Sequence, residues 1–305
     1  MTERAPAKIN VCLFVGGTRA SDGRHELVSV MQAVDLADEL RLERLSDGSP
    51  VARSGDGRGT AGDEVRCPGV DGPNIVAAAL SAFRARTGWD GPPVGIDVRK
   101  RIPVAAGMAG GSADAGAVLR LLAREAGIGD LALLREIASG LGADVPAQVL
   151  PGRYLATGAG EHVEALTPVW PGYSVLVLPS PDELSTPAVY RELDRLGLQR
   201  SPEELAVRLG EVRAATARRS GRLPDALVVN DLAPAAISML PTIDAVLAQV
   251  GDVGADHALV SGSGPTVLGL FEDPGAARTA AQALRRHHPR LVLTEPVAAA
   301  RRLVA

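Results

Sequence analysis

The stretch from Ile102 to Gly116, Ile-Pro-Val-Ala-Ala-Gly-Met-Ala-Gly-Gly-Ser-Ala-Asp-Ala-Gly, constrains this chain more than any other. It is built almost wholly of small residues and runs straight into an apolar, helix-like segment at 117–126. Gly107, Gly110 and Gly111 open backbone conformations closed to other residues and let main-chain N–H groups come close to a ligand. A helix starting near Ser112 turns its unpaired N–H groups and the positive end of its dipole toward this loop, which suits a phosphate. The competing reading is a Gly/Ala-rich helix start packed tightly in a core. Two familiar phosphate loops do not fit. A Walker loop carries a lysine directly after its last glycine, and none follows here. A dinucleotide fingerprint follows the first strand of a βαβ unit, whereas these glycines arrive about 100 residues into the chain and in another spacing.

Composition limits what can carry such a loop. With 305 residues, 46% hydrophobic content and a formal net charge of −4, the chain suits a soluble protein of one large domain or two ordinary ones. There is no basic stripe of the kind that binds nucleic acid, and no apolar run approaches a membrane span. Charges at Glu3, Arg4 and Lys8, followed by only a short apolar segment, argue against a signal peptide, so a cytoplasmic location is expected. Cys12 and Cys67 lie far apart without metal-ligand spacing, so neither a disulfide framework nor a zinc site is expected, and both read as packing residues. Aromatic residues make up only 3% of the chain, which leaves the core to Ala, Val and Leu. Among 32 basic residues only Lys8 and Lys100 are lysine, the side chain that acts as a compact point charge against a phosphate.

Residue patterns predict strands over 8–15, 27–34 and 39–45, then a Ser/Gly/Asp/Arg-rich loop over 46–62. A helix is predicted from Asn74 to 86, a strand over 94–99, and helices over 113–126 and 131–141. After Pro151-Gly152 the pattern restarts, with a strand over 173–178 and a helix over 187–196. A surface helix is expected within 197–224, a helix over 241–251, and strands over 258–260 and 266–271 around Ser261-Gly-Ser-Gly264. A helix over 274–286 and a strand region over 291–303 close the chain, and no internal repeat is evident. Alternating helices and strands in two layers make an α+β fold, divided as 1–152 and 153–305.

Five segments then line up: Ala5-Pro-Ala-Lys-Ile-Asn10, Asp22-Gly-Arg-His-Glu-Leu27, the loop 103–114, Gly142-Ala-Asp-Val-Pro146, and Val260-Ser-Gly-Ser-Gly-Pro265. This ordered set resembles the GHMP kinase superfamily over nearly the whole chain, from Ala5 to about Phe271. Within it the first, second and fourth segments resemble the branch that phosphorylates a cytidine-diphosphate-linked methylerythritol on the non-mevalonate route to isoprenoid precursors. The resemblance implies an N-terminal domain like ribosomal protein S5 domain 2 and a ferredoxin-like C-terminal domain, with the active site between them. It also implies ATP as phosphoryl donor with Mg²⁺ on its phosphates, a small-molecule acceptor, and a monomer or homodimer.

The resemblance maps the catalytic pair onto Lys8 and Asp144. An alcohol attacking the γ-phosphate must lose its proton, which a carboxylate within reach accepts, while an ammonium stabilises charge on the transferring group. Standing alone, Asp144 reads as a loop aspartate or helix-end cap; beside Lys8, in the family's pattern, the catalytic reading prevails. ATP is assigned to Asn74, Lys100, Pro103, Gly107, Ala109, Gly110, Gly111 and Ser112, with Ser112 also expected to cap the helix. Asn74 looks the same as a plain helix cap, and Lys100 as a solvated lysine at a strand end. No residue is assigned as a metal ligand.

The acceptor is assigned to Asn10, Arg24, His25, Thr186 and Tyr190. Asn10, two residues beyond Lys8, is expected to face the same side of a strand, and the resemblance implies that it hydrogen-bonds the methylerythritol hydroxyls. His25 matches the family histidine that, the resemblance implies, reads the cytosine edge. Arg24 stands where relatives usually stack a tyrosine on the base, and a guanidinium is flat enough to stack. Tyr190 covers the other face of the base or is buried in the domain core. Ser261 to Gly264 closes the site or makes a tight turn. The alternatives are another GHMP kinase of small alcohols such as homoserine or mevalonate, left open by Arg24, and a non-catalytic nucleotide-binding relative, opposed by the presence of both Lys8 and Asp144.

Overall fold

The near-continuous apolar run from Ile9 to Val15 has the character of a strand buried on both faces. In the computed structural model it forms the middle of β1 (Thr2–Thr18), and its apolar residues are almost completely buried. The structure describes residues 1–45, 62–70, 73–103, 106–166, 173–218 and 223–297. The loop expected at 46–62 lies outside these residues except for Gly62, as does the closing region past residue 297.

β1 pairs antiparallel with β2 (His25–Arg44), with register shifts between Pro6 and Lys8 and between Asn10 and Cys12. Sequence patterning predicted two strands where β2 is one, because Asp35 and Asp38 look like punctuation. Asp38 is fully buried instead, and its carboxylate accepts hydrogen bonds from the main-chain N–H of Ile102 (2.8 Å) and from Lys100 Nζ (2.5 Å). A charge satisfied in this way does not interrupt a strand.

The other edge of β2 is shared. Ser29–Gln32 pair with β5 (Arg153–Thr157), and Glu39–Arg44 pair with β4 (Val94–Arg99), both antiparallel. β3 (Glu64–Arg66) runs parallel to β4, and β6 (His162–Ala165) antiparallel to β5. The break expected near residue 152 therefore falls inside this sheet, because β5 and β6 follow it in sequence and still belong to the first sheet. Sequence patterning missed both: β5 carries a buried arginine, Arg153, and β6 is largely exposed and polar.

Helices α1 (Ile75–Thr87), α2 (Gly110–Ala126) and α3 (Leu131–Ser139) pack together, with α2 against β1 and β2. The short α4 (Val145–Gln148) lies against α2. A second sheet, all antiparallel, has the order β10–β7–β9–β8, with β7 at Ser174–Leu178, β8 at His257–Val260, β9 at Val267–Phe271 and β10 at Val292–Thr294. Around it lie α5 (Thr186–Leu196), α6 (Pro202–Thr216), α7 (Ala233–Met239), α8 (Thr242–Asp252) and α9 (Pro274–Leu284). α8 and α9 pack on this sheet, α5 on α7, and α6 on β1 and β2 of the first.

The two halves are stitched by main chain as well as by apolar contact. Leu13 N–H donates to Val229 O (2.8 Å), Asp231 N–H to Leu13 O (2.9 Å) and Arg200 N–H to Val15 O (2.9 Å). As the composition required, the core is mostly Ala, Val and Leu, with Phe14, Phe83 and Phe271 among its few large members.

Candidate active site

Lys8 sits at the register shift in β1, where its main-chain N–H donates to Met108 O (3.1 Å) and ties the strand to the glycine-rich loop. Its buried ammonium donates to Asn10 Oδ1 (2.7 Å) and stands 3.3 Å from Asp144 Oδ2. Asn10 and Lys8 thus share one side of the strand, as their spacing predicted. The Asn10 amide donates in turn to Ser29 Oγ (2.7 Å), whose hydroxyl donates to Cys12 O (2.6 Å). This chain turns the amide oxygen toward the ammonium.

Asp144 occupies the position that precedes α4, where a helix-capping aspartate would stand, yet its side chain makes no cap hydrogen bond. The capping alternative fails, and the partially exposed carboxylate faces Lys8.

The glycine-rich loop is shaped by contact with the second half of the chain. Gly107 has φ +66°, and a Cβ there would lie 2.1 Å from Ser261 O, so only glycine fits. Ser261 Oγ donates to Gly107 O (3.1 Å), and Asn230 Nδ2 bridges Val260 O (2.8 Å) and Gly262 O (2.7 Å). The Ser-Gly-Ser-Gly segment is therefore more than a turn between strands: it is the surface on which the loop rests. Asn230 carried no signal in the sequence beyond being a polar residue among apolar ones.

α2 begins at Gly110, and the residue before it, Ala109, adopts the left-handed conformation at φ 55°. The expected cap, Ser112, lies half-buried inside the first turn, and no side chain caps the helix. Ser112 was expected at the helix start because small polar residues favour that position. Here the turn from the loop is made by backbone, with Ala113 N–H donating to Ala109 O (2.8 Å).

Lys100 does not stand free at a strand end. Its Nζ donates to Asp38 (2.5 Å) and to Asp114 Oδ2 (2.7 Å), directly beneath Gly110. Two carboxylates share this one ammonium. Burial, with Lys100 pulling the other way and the Asp38 charge adding to it, pushes the Asp114 carboxyl up to about 7. Neither Asp38 nor Asp114 was singled out by the sequence, because partners from β2 and α2 are not visible in spacing.

These residues surround a cleft of about 440 Å³ between the two halves. Among the predicted residues, Lys8, Asn10, Asn74, Lys100, Pro103, Gly107, Ala109, Gly110, Gly111, Asp144, Thr186 and Tyr190 line it. Asn74 also caps α1, its Oδ1 accepting from Val76 N–H (2.8 Å), while the residue lines the cleft. Thr186 Oγ1 and Ser263 Oγ lie 2.8 Å apart on the cleft wall. Tyr190 is partly buried, and burial together with the Asp144 charge pushes its phenol up to about 12, so the ring presents a neutral hydroxyl.

Three predicted residues do not line the cleft. Ser112 is half-buried in the first turn of α2, and Arg24 is exposed, donating to Ala159 O (3.1 Å). His25 is buried against Tyr190, with ring centroids 4.9 Å apart, and its Nε2 is 2.7 Å from Asp194 Oδ1. Among the described residues no group of three or more His, Cys, Asp or Glu is arranged to hold a metal ion.

Comparison with known proteins places the chain in a family. Residues 74–152 match the model of the GHMP kinases N terminal domain and residues 212–290 that of the GHMP kinases C terminal domain. A relative from Anaeromyxobacter sp. (strain K), named 4-diphosphocytidyl-2-C-methyl-D-erythritol kinase, is 40% identical over 92% of this chain and 84% of its own. One of the same name from Streptomyces coelicolor is 42% identical over 93% and 92%. A crystal structure of 4-(cytidine 5'-diphospho)-2C-methyl-D-erythritol kinase superposes with a TM-score of 0.75 at 31% identity, covering 96% of this chain and 98% of that one. The chain, with its glycine-rich loop, its Lys8–Asp144 pair and this extent of identity, belongs to the GHMP kinase superfamily and within it to the 4-diphosphocytidyl-2-C-methyl-D-erythritol kinase family.

Proposed function

We propose that the protein transfers the γ-phosphoryl group of ATP to the 2-hydroxyl of 4-diphosphocytidyl-2-C-methyl-D-erythritol. The observation that carries this reading is the Lys8–Asp144 contact of 3.3 Å at the cleft, beside the glycine-rich loop. Asp144 accepts the proton of the attacking hydroxyl, and Lys8 stabilises the negative charge that spreads over the transferring phosphoryl oxygens. Asn10, held by Ser29, orients the acceptor hydroxyls. Main-chain N–H groups of the loop and the first turn of α2 receive the triphosphate. Lys100, already paired with Asp38 and Asp114, supports the loop from beneath.

Magnesium arrives on the triphosphate. Mg²⁺ usually keeps several waters and binds through substrate phosphates and one or two carboxylates, so a clustered protein cage is not required. Tyr190 and Thr186 form the acceptor side of the cleft, and His25, packed against Tyr190, reads the edge of the base. Tyr190 is the ring that the cleft presents to the base, while Arg24 is exposed with its guanidinium on Ala159 O. A single copy of the chain supplies all of these groups, and the protein works in the cytoplasm. No helix among the described residues is long and apolar enough to cross a membrane.

The test is ADP release from Mg-ATP with the cytidine compound, homoserine, mevalonate or no acceptor. Turnover on the cytidine compound alone is expected. Turnover on homoserine or mevalonate instead would keep the phosphate loop and move the acceptor assignment, and ATP binding without turnover on any alcohol would leave a nucleotide-binding relative.

A further inference from the structure

His25 is gripped from one face of one helix. Tyr190 and Asp194 lie four residues apart on α5, so they project from the same side. Tyr190 packs on the imidazole with centroids 4.9 Å apart, while Asp194 Oδ1 stands 2.7 Å from Nε2. Gln199 Nε2 donates to the same Asp194 oxygen (2.5 Å), which fixes the carboxylate from the far side. Nδ1 of His25 carries no hydrogen bond to any described residue.

A neutral imidazole has one N–H donor and one bare acceptor, and the partner of one nitrogen decides which is which. An ionised carboxylate accepts and cannot donate. Burial pulls the Asp194 carboxyl upward, but the hydrogen bonds from His25 and Gln199 outweigh it and hold the group below the ordinary carboxylate range. The proton of the neutral ring is therefore drawn to Nε2, leaving Nδ1 an acceptor.

We propose that Asp194 is a positioning residue for base selectivity: it holds His25 in the Nε2–H tautomer, so that Nδ1 accepts a hydrogen bond from an exocyclic amine. Cytosine carries such an amine, whereas uracil presents a carbonyl oxygen at the same position, and two acceptors facing each other repel. The inference rests on the cytidine reading proposed above. Asp194 touches neither the reacting hydroxyl nor the triphosphate, so its effect falls on acceptor binding and not on the chemical step.

The experiment compares wild type, Asp194→Ala and Asp194→Asn with the cytidine acceptor and its uridine counterpart. Asn is nearly isosteric and keeps a hydrogen bond, but its amide accepts from Nε2–H or, turned over, donates to bare Nε2. It therefore preserves packing and releases the tautomer. In Asp194→Ala the KM for the cytidine acceptor rises about tenfold or more, while kcat and the KM for ATP stay close to wild type. In Asp194→Asn the cytidine-to-uridine ratio of kcat/KM falls by about tenfold or more, an effect that a purely structural contact would not produce.

A smaller fall in the Asp194→Asn ratio overturns the proposal. The ¹⁵N spectrum of His25 gives a second readout: a proton on Nε2 in the wild type and a tautomer mixture in Asp194→Asn are expected. A wild-type proton on Nδ1 overturns the proposal even if Asp194→Ala does not fold. Wild-type protein inactive on both nucleotides would instead refute the proposed function, with the spectrum still reporting on Asp194.

Discussion

The Lys8 ammonium and the Asp144 carboxylate meet at 3.3 Å although one comes from the middle of a long strand and the other from the residue preceding a four-residue helix. The contact depends on the shifted register of β1 and on Asp144 making no cap bond of its own. If Asp144 is the general base, Asp144→Asn lowers kcat by about 10²–10⁴. The melting temperature should stay near wild type, because the carboxylate is partly exposed and caps nothing. Folded Asp144→Asn with undiminished turnover would remove it from that role.

Gly107→Ala places a methyl group 2.1 Å from Ser261 O in a left-handed backbone. Gly127→Ala imposes a similar conformation, φ +67°, with nothing within 4 Å. The second substitution carries backbone strain alone, on the order of 1 kcal/mol. The first adds a collision between two backbones and should cost several times more in urea denaturation, with ATP binding lost alongside. Equal costs for the two would mean that the loop is free to move away from Ser261.

Asp114 makes stability depend on pH in a definite direction. Its carboxyl is raised from 3.8 in the unfolded chain to about 7 in the folded protein. Between these values the folded state holds the proton and the unfolded state does not, so folding stability falls as pH rises from about 4 to about 7. Thermal melts across this range should show that slope, and Asp114→Asn should flatten it. A slope of the opposite sign would mean that Lys100 outweighs burial at this site.

Asn74→Ala separates two roles. Loss of the cap on α1 costs about 1 kcal/mol and lowers the melting temperature by a few degrees. If Asn74 also contacts the nucleotide, the KM for ATP rises well beyond what that loss of stability explains. A lower melting temperature with an unchanged KM would leave Asn74 as a cap alone.

Much of this arrangement was legible in the sequence because it is local. The strand bearing Lys8 and Asn10, the cap at Asn74 and the glycine-rich run each announce themselves within a few residues. What stayed hidden depends on pairing between distant segments. Asp38 reads as a strand breaker until Lys100 and the backbone at Ile102 are brought to it. Lys100 reads as a free cation until Asp38 and Asp114 close on it. Ser112 looks like a cap because residue type is all the sequence offers, whereas the left-handed turn at Ala109 sets where α2 begins. The partnership of His25 with Asp194 joins a strand of the first sheet to a helix of the second half, and the i,i+4 spacing from Tyr190 to Asp194 was its only local trace.

The contact between Gly107 and Ser261 has a consequence for how such a protein can be recombined. Interfaces built from side chains can be retuned by exchanging one residue on each side. Here main chain meets main chain, with only the small Ser261 hydroxyl added, so there is little side chain to trim or enlarge. The two loops are heritable only as a matched pair of backbone paths. A chimera joining the first half of this chain to the second half of a distant relative would keep its cleft only if both loops came from the same parent.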